Sequence, residues 1–289
     1  MRRLFSLMRI HQWYKNLLVF LPIIFGQQIS NMIALQKTVI GFISLCLISS
    51  AYYIFNDIID RKKDIYHPEA HKKLLAKGDV NLAAAIILGL ALVLLSLGIS
   101  YTLSMQFTYF VVALFAIAIL YSAWLKNEIF VDIIAISINF VLRAVSGAYV
   151  LITSGKPYII VSPWLLVCTF LLALFLAVGK RDSELIVLGD KAAKYKKVLK
   201  YYTPKMTSSI LVISTAALLV SYLLYSFQSF NKMLVFTAPF AVYVIFRYLY
   251  LVYSGSKIPL STGRFYRDRR LLVGILLWVV SVIFIIYVF

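Results

Sequence analysis

What this chain lacks most is charge. Asp, Glu, Lys and Arg make up 14% of its 289 residues, against about a quarter in a soluble domain, so a fold bathed in water along most of its length is excluded. Acids are the rarer sign: 11 Asp and Glu stand against 29 Lys and Arg. Cysteine is nearly absent. Cys46 and Cys168 each lie in an apolar run, with neither a zinc spacing nor a disulfide framework, and are expected to pack as small hydrophobes. The start of the chain has no short apolar core followed by a small-residue cleavage site, so no cleaved signal peptide is expected. No repeat with a period of roughly 20–50 residues, no linker and no low-complexity tract is evident.

What is present in quantity is hydrophobic surface: 62% of the residues are apolar and the mean hydropathy is +0.91. A helix crossing the hydrocarbon needs about 20 apolar residues. On that basis nine spans are predicted, at roughly 16–34, 37–56, 80–102, 107–125, 129–152, 160–179, 207–227, 232–253 and 270–289. The first is interrupted by Pro22, Gly26, Gln27 and Gln28. The expected fold class is all-α, a polytopic membrane helical bundle in a single integral-membrane domain, 1–289.

Charge sets the predicted orientation. With the N-terminus inside, 24 of the 29 Lys and Arg fall on one side, in the start of the chain and the loops after spans two, four, six and eight. The other side has Lys37, Lys156 and Lys232, while Arg143 and Arg247 lie within spans. This bias places the N-terminus in the cytoplasm. It also accounts for the net charge of +18 without nucleic acid. All 11 acids fall on or beside the same side, which topology does not require. Some chemistry at the cytoplasmic face uses carboxylates amid many cations.

The stretch "NDIIDRKKD" begins at Asn56 and holds Asp57, Asp60 and Asp64. Their i, i+3, i+7 spacing puts three carboxylates on one helix face, where they repel unless a cation sits among them. Oxygen ligands suit a hard cation, and Mg2+ usually takes one or two carboxylates plus substrate phosphates. Asn56 adds an amide oxygen. The expectation is a Mg2+–diphosphate site at the membrane surface, against the plainer reading of a solvated helix end paired with Lys.

Three further clusters lie toward the same side. Tyr121, Lys126 and Asp132 flank the connection between spans four and five. Asp132, Asn139 and Arg143 share one face of span five, with Arg143 about 16 Å deeper than Asp132. A buried Arg should face the bundle interior and have a partner, either Asp132 and backbone carbonyls or a phosphate. Span six ends in "LAVGKRDSEL", where Gly179 permits close approach and Lys180 and Arg181 are expected where the helix meets water. "GRFYRDRRLL" before span nine contains Asp268 and Arg269. His67 and His71 are expected to be loop residues, since Pro68 breaks the helix between them. The segment from Asp190 to Lys200 reads as a basic interfacial helix touching anionic lipid headgroups.

Together these residues resemble a known family. Asn-Asp-x-x-Asp-x-x-x-Asp, Asn56 to Asp64, is similar to the first aspartate motif of the UbiA prenyltransferase superfamily, and the helix count and two polar clusters are similar to its fold. Within it, "HQWYKN", "NDIIDRKKDIYHP", "YSAWLK" followed by Asp132, "LRAVSG" and "GKRDSEL" most resemble the decaprenyl-phosphate phosphoribosyltransferase branch. Lys73 and Leu74 stand where that branch commonly has Arg-Pro; Lys keeps the charge but loses bidentate phosphate geometry.

The resemblance implies transfer of a 5-phosphoribosyl group from phosphoribosyl diphosphate to a polyprenyl phosphate, with Mg2+. It implies Mg2+ on Asp57, Asp60 and Asp64, with Asp132 assisting. Lys126, Lys180 and Arg181 would meet the donor, Lys15 and Asn16 the lipid phosphate, and Arg143 a phosphate or the acidic site. Asn56, Lys73, Tyr121, Asp268 and Arg269 complete the candidate substrate contacts. Membrane lipids are expected around the spans, and a homo-oligomer is compatible. The alternatives are a prenyltransferase with an isoprenyl diphosphate donor and an aromatic or glycerol-phosphate acceptor, or a transporter or lipid-carrier binder without chemistry. Acids gathered at one surface rather than at the midplane argue against transport.

Overall fold

Local signals start and stop most of the helices. We number the α-helices α1 Leu21–Phe25, α2 Met32–Asp64, α3 Leu82–Leu103, α4 Met105–Ala123, α5 Val131–Ser146, α6 Pro163–Leu188, α7 Pro204–Gln228, α8 Ala238–Tyr253 and α9 Arg269–Val288. The computed structural model describes residues 6–64, 74–153, 156–189, 192 and 196–288, with backbone only at 62–64 and 153. Asn81 opens α3 by accepting the Ala83 N–H at 2.9 Å. Ser104, in extended conformation, is the single residue between α3 and α4, and its Oγ accepts the Phe107 N–H at 3.0 Å. Proline near the start of α6 and α7 needs no N–H there, and Thr203 caps α7 through the Met206 N–H.

Among the described residues, eight helices are long and apolar enough to cross a membrane, as expected of an integral membrane protein. The predicted first span takes another form: a 3-10 helix, Ile10–Phe20, runs into the five-residue α1 and then a turn. Pro22 lies in the first turn of α1, and Gly26 and Gln27 end it, Gln27 at φ 55. The predicted second and sixth spans are longer than hydropathy suggests. Helix α2 has 33 residues, about 50 Å at helical rise, against the roughly 30 Å of hydrocarbon. Its last turns, with Asp57, Asp60 and Asp64, are therefore free to stand beyond the apolar layer. Helix α6 continues past Gly179 to Leu188.

Two compact units divide the chain: unit 1 comprises Met1–Lys126 and Leu142–Ile160, and unit 2 comprises Asn127–Val141 and Val161–Phe289. In unit 1, α2 packs along α3. Ser44 and Ser96 each donate a side-chain hydrogen bond to the other's carbonyl, at 3.0 and 2.8 Å, as small polar residues do where membrane helices approach closely. Gly147 packs on the Val19 carbonyl so closely that a Cβ there would lie 2.0 Å from its oxygen. A core of unit 1 buries Val19, Leu45, Phe107, Val111 and Val150. A two-residue antiparallel ladder pairs Ile152 with Pro157 and Thr153 with Lys156. In unit 2, α6, α7, α8 and α9 bury Phe175, Leu211, Tyr248, Leu251 and Leu271 around one core.

Candidate active site

The end of α2 carries a cluster of charged side chains in unit 1. Asp57 and Asp60, one turn apart, each hold a cation with both oxygens. Arg9 Nη2 donates to Asp57 Oδ1 at 2.7 Å and Oδ2 at 2.9 Å. Lys126 Nζ donates to the two oxygens of Asp60 at 2.8 and 2.7 Å. Asp57 is buried, and the Asp60–Lys126 pair is largely so. Lys126 reaches this point from the short 3-10 turn Leu125–Asn127. Arg9 sits in left-handed backbone at φ 48, ψ 48, just before the Ile10–Phe20 helix, a conformation uncommon for a residue other than glycine. Its guanidinium also lies 5.0 Å from the centroid of the Tyr53 ring.

Among the described residues no group of three His, Cys, Asp or Glu is close enough to hold a metal. The Asp64 side chain, and Lys73, His67 and His71, lie outside the described residues. The remaining donor set still fits Mg2+: two carboxylates on one helix face, all oxygen, match what that ion takes from protein beside phosphates and water. Asn56, half-buried, is adjacent in sequence to Asp57.

Deeper in unit 1, Asn16 organises a polar knot. Its Oδ1 accepts from Arg143 Nε at 2.9 Å and from Ser49 Oγ at 3.2 Å, and its Nδ2 donates to Cys46 Sγ at 3.3 Å. Arg143 is 8% exposed, so a partner was required, and the N-terminal segment supplies one. Lys15 is next to Asn16 in sequence and half-buried. Burial first, and then the nearby Arg143 and Arg9 charges, lower its pKa to about 8. Arg9, Lys15 and Arg143 thus form a cationic group in the same unit. Tyr121 is half-buried in the last turn of α4.

Unit 2 holds a second cluster, and here the predicted exposure of Arg181 is corrected. Arg181 lies not at the water boundary but buried, 2% exposed. Its Nε donates to Asp132 Oδ2 at 2.8 Å and its Nη1 to Glu184 Oε2 at 2.7 Å. Asp132, fully buried, has its other oxygen taken by the Tyr202 hydroxyl at 2.7 Å, and that hydroxyl accepts the Phe130 N–H at 3.0 Å. Two carboxylates at this depth explain why a guanidinium is tolerated there. Phe130 has φ 63, another strained backbone position. Lys180 is 45% exposed on its side chain and lies 3.8 Å from Glu184 Oε1. The close approach at Gly179 is made by Tyr248, whose ring would meet a Cβ at 2.7 Å.

The basic segment after α6 turns its apolar residues inward. Ala192, Val198, Leu199 and Tyr202 pack against Ile129, Leu185, Leu188 and Met206, while Lys197 and Lys200 are exposed. Loss of hydration, and then the Arg181 charge, push the Lys196 pKa well below its ordinary value. Asp268 is a helix cap as well as an ion-pair partner: it accepts the Leu271 N–H at 2.7 Å and holds Arg247 at 3.2 and 2.6 Å. Arg269 is exposed at the start of α9. Sequence reasoning did not single out Arg9, Glu184, Lys196 or Tyr202. Arg9 was one of the four basic residues before the first apolar run, Glu184 lay within "GKRDSEL" and Lys196 within the basic segment after it, while Tyr202 left no trace.

The profile of the "UbiA prenyltransferase family" matches residues 19–266. A "Decaprenyl-phosphate phosphoribosyltransferase" of Corynebacterium glutamicum is 30% identical over 225 residues, spanning 76% of this chain and 66% of that protein. A protein of the same description from Mycobacterium tuberculosis is 27% identical over 282 residues, spanning 95% of this chain and 91% of its own. The share of a curated relative's length that is spanned falls to 34% for a Sinorhizobium fredii protein. A UbiA homologue from Archaeoglobus fulgidus, solved bound to GPP and Mg2+, shares the fold with a TM-score of 0.73 at 19% identity, covering 97% of this chain and 99% of that one.

Proposed function

We propose, from the premise that this chain belongs to the UbiA prenyltransferase family and is a transferase, that it moves a 5-phosphoribosyl group from phosphoribosyl diphosphate onto a polyprenyl phosphate. Diphosphate is released, and the reaction runs at the cytoplasmic face of the membrane. Support for the donor and acceptor comes from relatives described as decaprenyl-phosphate phosphoribosyltransferases, one of them similar over 91% of its length. The observation that carries the reading is the end of α2, where two carboxylates in successive turns already meet cations from elsewhere in unit 1. That arrangement suits a metal–diphosphate unit, which brings both signs of charge to one place.

The chemistry asks for no protein nucleophile. A lipid phosphate oxygen attacks the sugar's anomeric carbon as the bond from that carbon to the diphosphate oxygen breaks. The protein contributes position and charge. Asp57, Asp60 and Asp64 would hold Mg2+, which when bound offsets the charge growing on the leaving diphosphate. Lys126 and Lys180 add positive charge for the donor, with Lys73, Asn56 and Tyr121 as further contacts. Lys15 meets the lipid phosphate, oriented through its neighbour Asn16, which Arg143 holds. Asp132 and Arg181 act by position: their charges are spent on each other, Glu184 and Tyr202. Asp268 anchors the start of α9, beside Arg269.

The test uses purified protein in detergent or lipid with Mg2+, labelled phosphoribosyl diphosphate and a polyprenyl phosphate, following label into the lipid phase. Labelled isoprenyl diphosphate with aromatic acceptors runs in parallel. Label entering lipid from the sugar donor alone, and lost with EDTA, is the expected result. Asp57→Asn should abolish it while the protein still purifies as assembled. Transfer in the parallel reaction alone would move the chain to the isoprenyl-donor branch.

A further inference from the structure

We infer that Arg9 and Lys126 are exchangeable counter-ions: they release Asp57 and Asp60 to a divalent ion and pass to the diphosphate that arrives with it, so ion and diphosphate bind as one unit. The inference rests on the α2 site proposed above and adds its binding logic and a residue, Arg9, to it.

Three observations carry it. First, Arg9 engages both oxygens of Asp57 and Lys126 both oxygens of Asp60, at 2.7–2.9 Å. An ion that takes those oxygens meets a positive charge already there. Second, a cation already answers each of these two carboxylates. A divalent ion added alone raises the positive charge of a partly buried place by two, and a diphosphate added alone raises its negative charge. Together they nearly cancel, and a charge held away from water is tolerated only when it is matched. Third, both cations are placed to move without unfolding an element. Arg9 stands before the Ile10–Phe20 helix, in left-handed backbone at φ 48, with the Tyr53 ring 5.0 Å from its guanidinium as an alternative support. Lys126 is on a three-residue turn and retains 18% side-chain exposure. An Arg fork and a Lys point charge are also the two side chains suited to phosphate oxygens.

The consequence is linkage. The metal alone binds weakly because it must displace a cation, and diphosphate alone binds weakly because the cations are occupied. Each ligand removes the obstacle to the other, which makes the coupling reciprocal.

The test measures Mn2+ binding by electron paramagnetic resonance, and labelled inorganic diphosphate binding by equilibrium dialysis, on the full chain in detergent. In the wild type, Mn2+ should raise diphosphate affinity by about tenfold or more, the scale of one such ion pair at 1.4 kcal/mol per decade. Arg9→Gln should tighten Mn2+ binding in the absence of diphosphate and shrink the Mn2+ effect on diphosphate. Lys126→Gln should do the same at Asp60, and it carries the test if Arg9→Gln does not fold. In an Asp57→Asn background, Arg9→Gln should leave Mn2+ affinity unchanged. Mn2+ binding that is unaltered or weakened in both single variants overturns the exchange. Because the probe is inorganic diphosphate, a chain that fails to transfer phosphoribose can still show the linkage. A chain that transfers it without the linkage refutes the exchange alone.

Discussion

Replacing Arg181 by Met should cripple the fold before it touches catalysis. The side chain is 2% exposed and bridges two buried carboxylates, Asp132 at 2.8 Å and Glu184 at 2.7 Å. Removing one partner of a buried ion pair costs about 3–5 kcal/mol, because the remaining charge is left without compensation. Here two carboxylates lose the same partner, leaving the Tyr202 hydroxyl on one oxygen of Asp132 and Lys180 3.8 Å from Glu184. That range corresponds to a fall in apparent unfolding temperature on the order of 10 °C. The assay is thermal unfolding in detergent, followed by tryptophan fluorescence and by loss of the monodisperse peak. Adding Asp132→Asn and Glu184→Gln to Arg181→Met should recover most of the loss, since a neutral, packed site of similar volume is often as stable as the ion pairs it replaces. An Arg181→Met protein with wild-type unfolding temperature and a raised KM for the donor would refute this reasoning. It would make Arg181 a phosphate ligand and its pairing incidental.

Two further predictions concern pH. Lys15 has a pKa lowered to about 8 by burial and by Arg143 and Arg9, so its ammonium is present at neutral pH and is lost as pH rises through about 8. The KM for the polyprenyl phosphate should rise across that interval, and Lys15→Arg should move the rise to higher pH; a flat KM profile up to pH 9 would remove Lys15 from the lipid-phosphate contact. Asp268 titrates lower than an ordinary Asp because of its hydrogen bonds from Arg247 and the Leu271 N–H. The stability it contributes is present above the unfolded value of about 3.9 and is lost as pH falls through the lower folded value. Asp268→Asn keeps an oxygen for the Leu271 N–H but loses the ion pair with Arg247, so it should reduce stability at pH 7 by roughly 0.2–1 kcal/mol, and the deficit should vanish at the acid end of a pH series of unfolding temperatures.

How much of this was open to reading in the chain differs from one element to the next. The α2 motif was legible because its three Asp lie within eight residues, and helical spacing alone puts them on one face. The first apolar run was predicted as a span interrupted by Pro22, Gly26, Gln27 and Gln28, and the chain there forms a 3-10 helix, a five-residue α-helix and a turn. The depth of Arg181 was not legible. Hydropathy falls away after Gly179, so a string of charges there reads as a helix reaching water, yet α6 runs on to Leu188 with Arg181, Asp182 and Glu184 buried.

The sequence by itself determined that this is an integral membrane protein of many helices, and that most of its carboxylates and cations lie outside the apolar runs. Hydropathy and helical periodicity are sums over neighbouring residues, and no long-range contact is needed to evaluate them. Tertiary structure alone decided which charge answers which. Arg9 meets Asp57 across 48 residues, Lys126 meets Asp60 across 66, and Arg181 meets Asp132 across 49. Each pairing is a property of two distant positions, and the energy of a charge out of water depends on the partner it finds there. That dependence separates an Arg that reaches substrate from one that holds the fold.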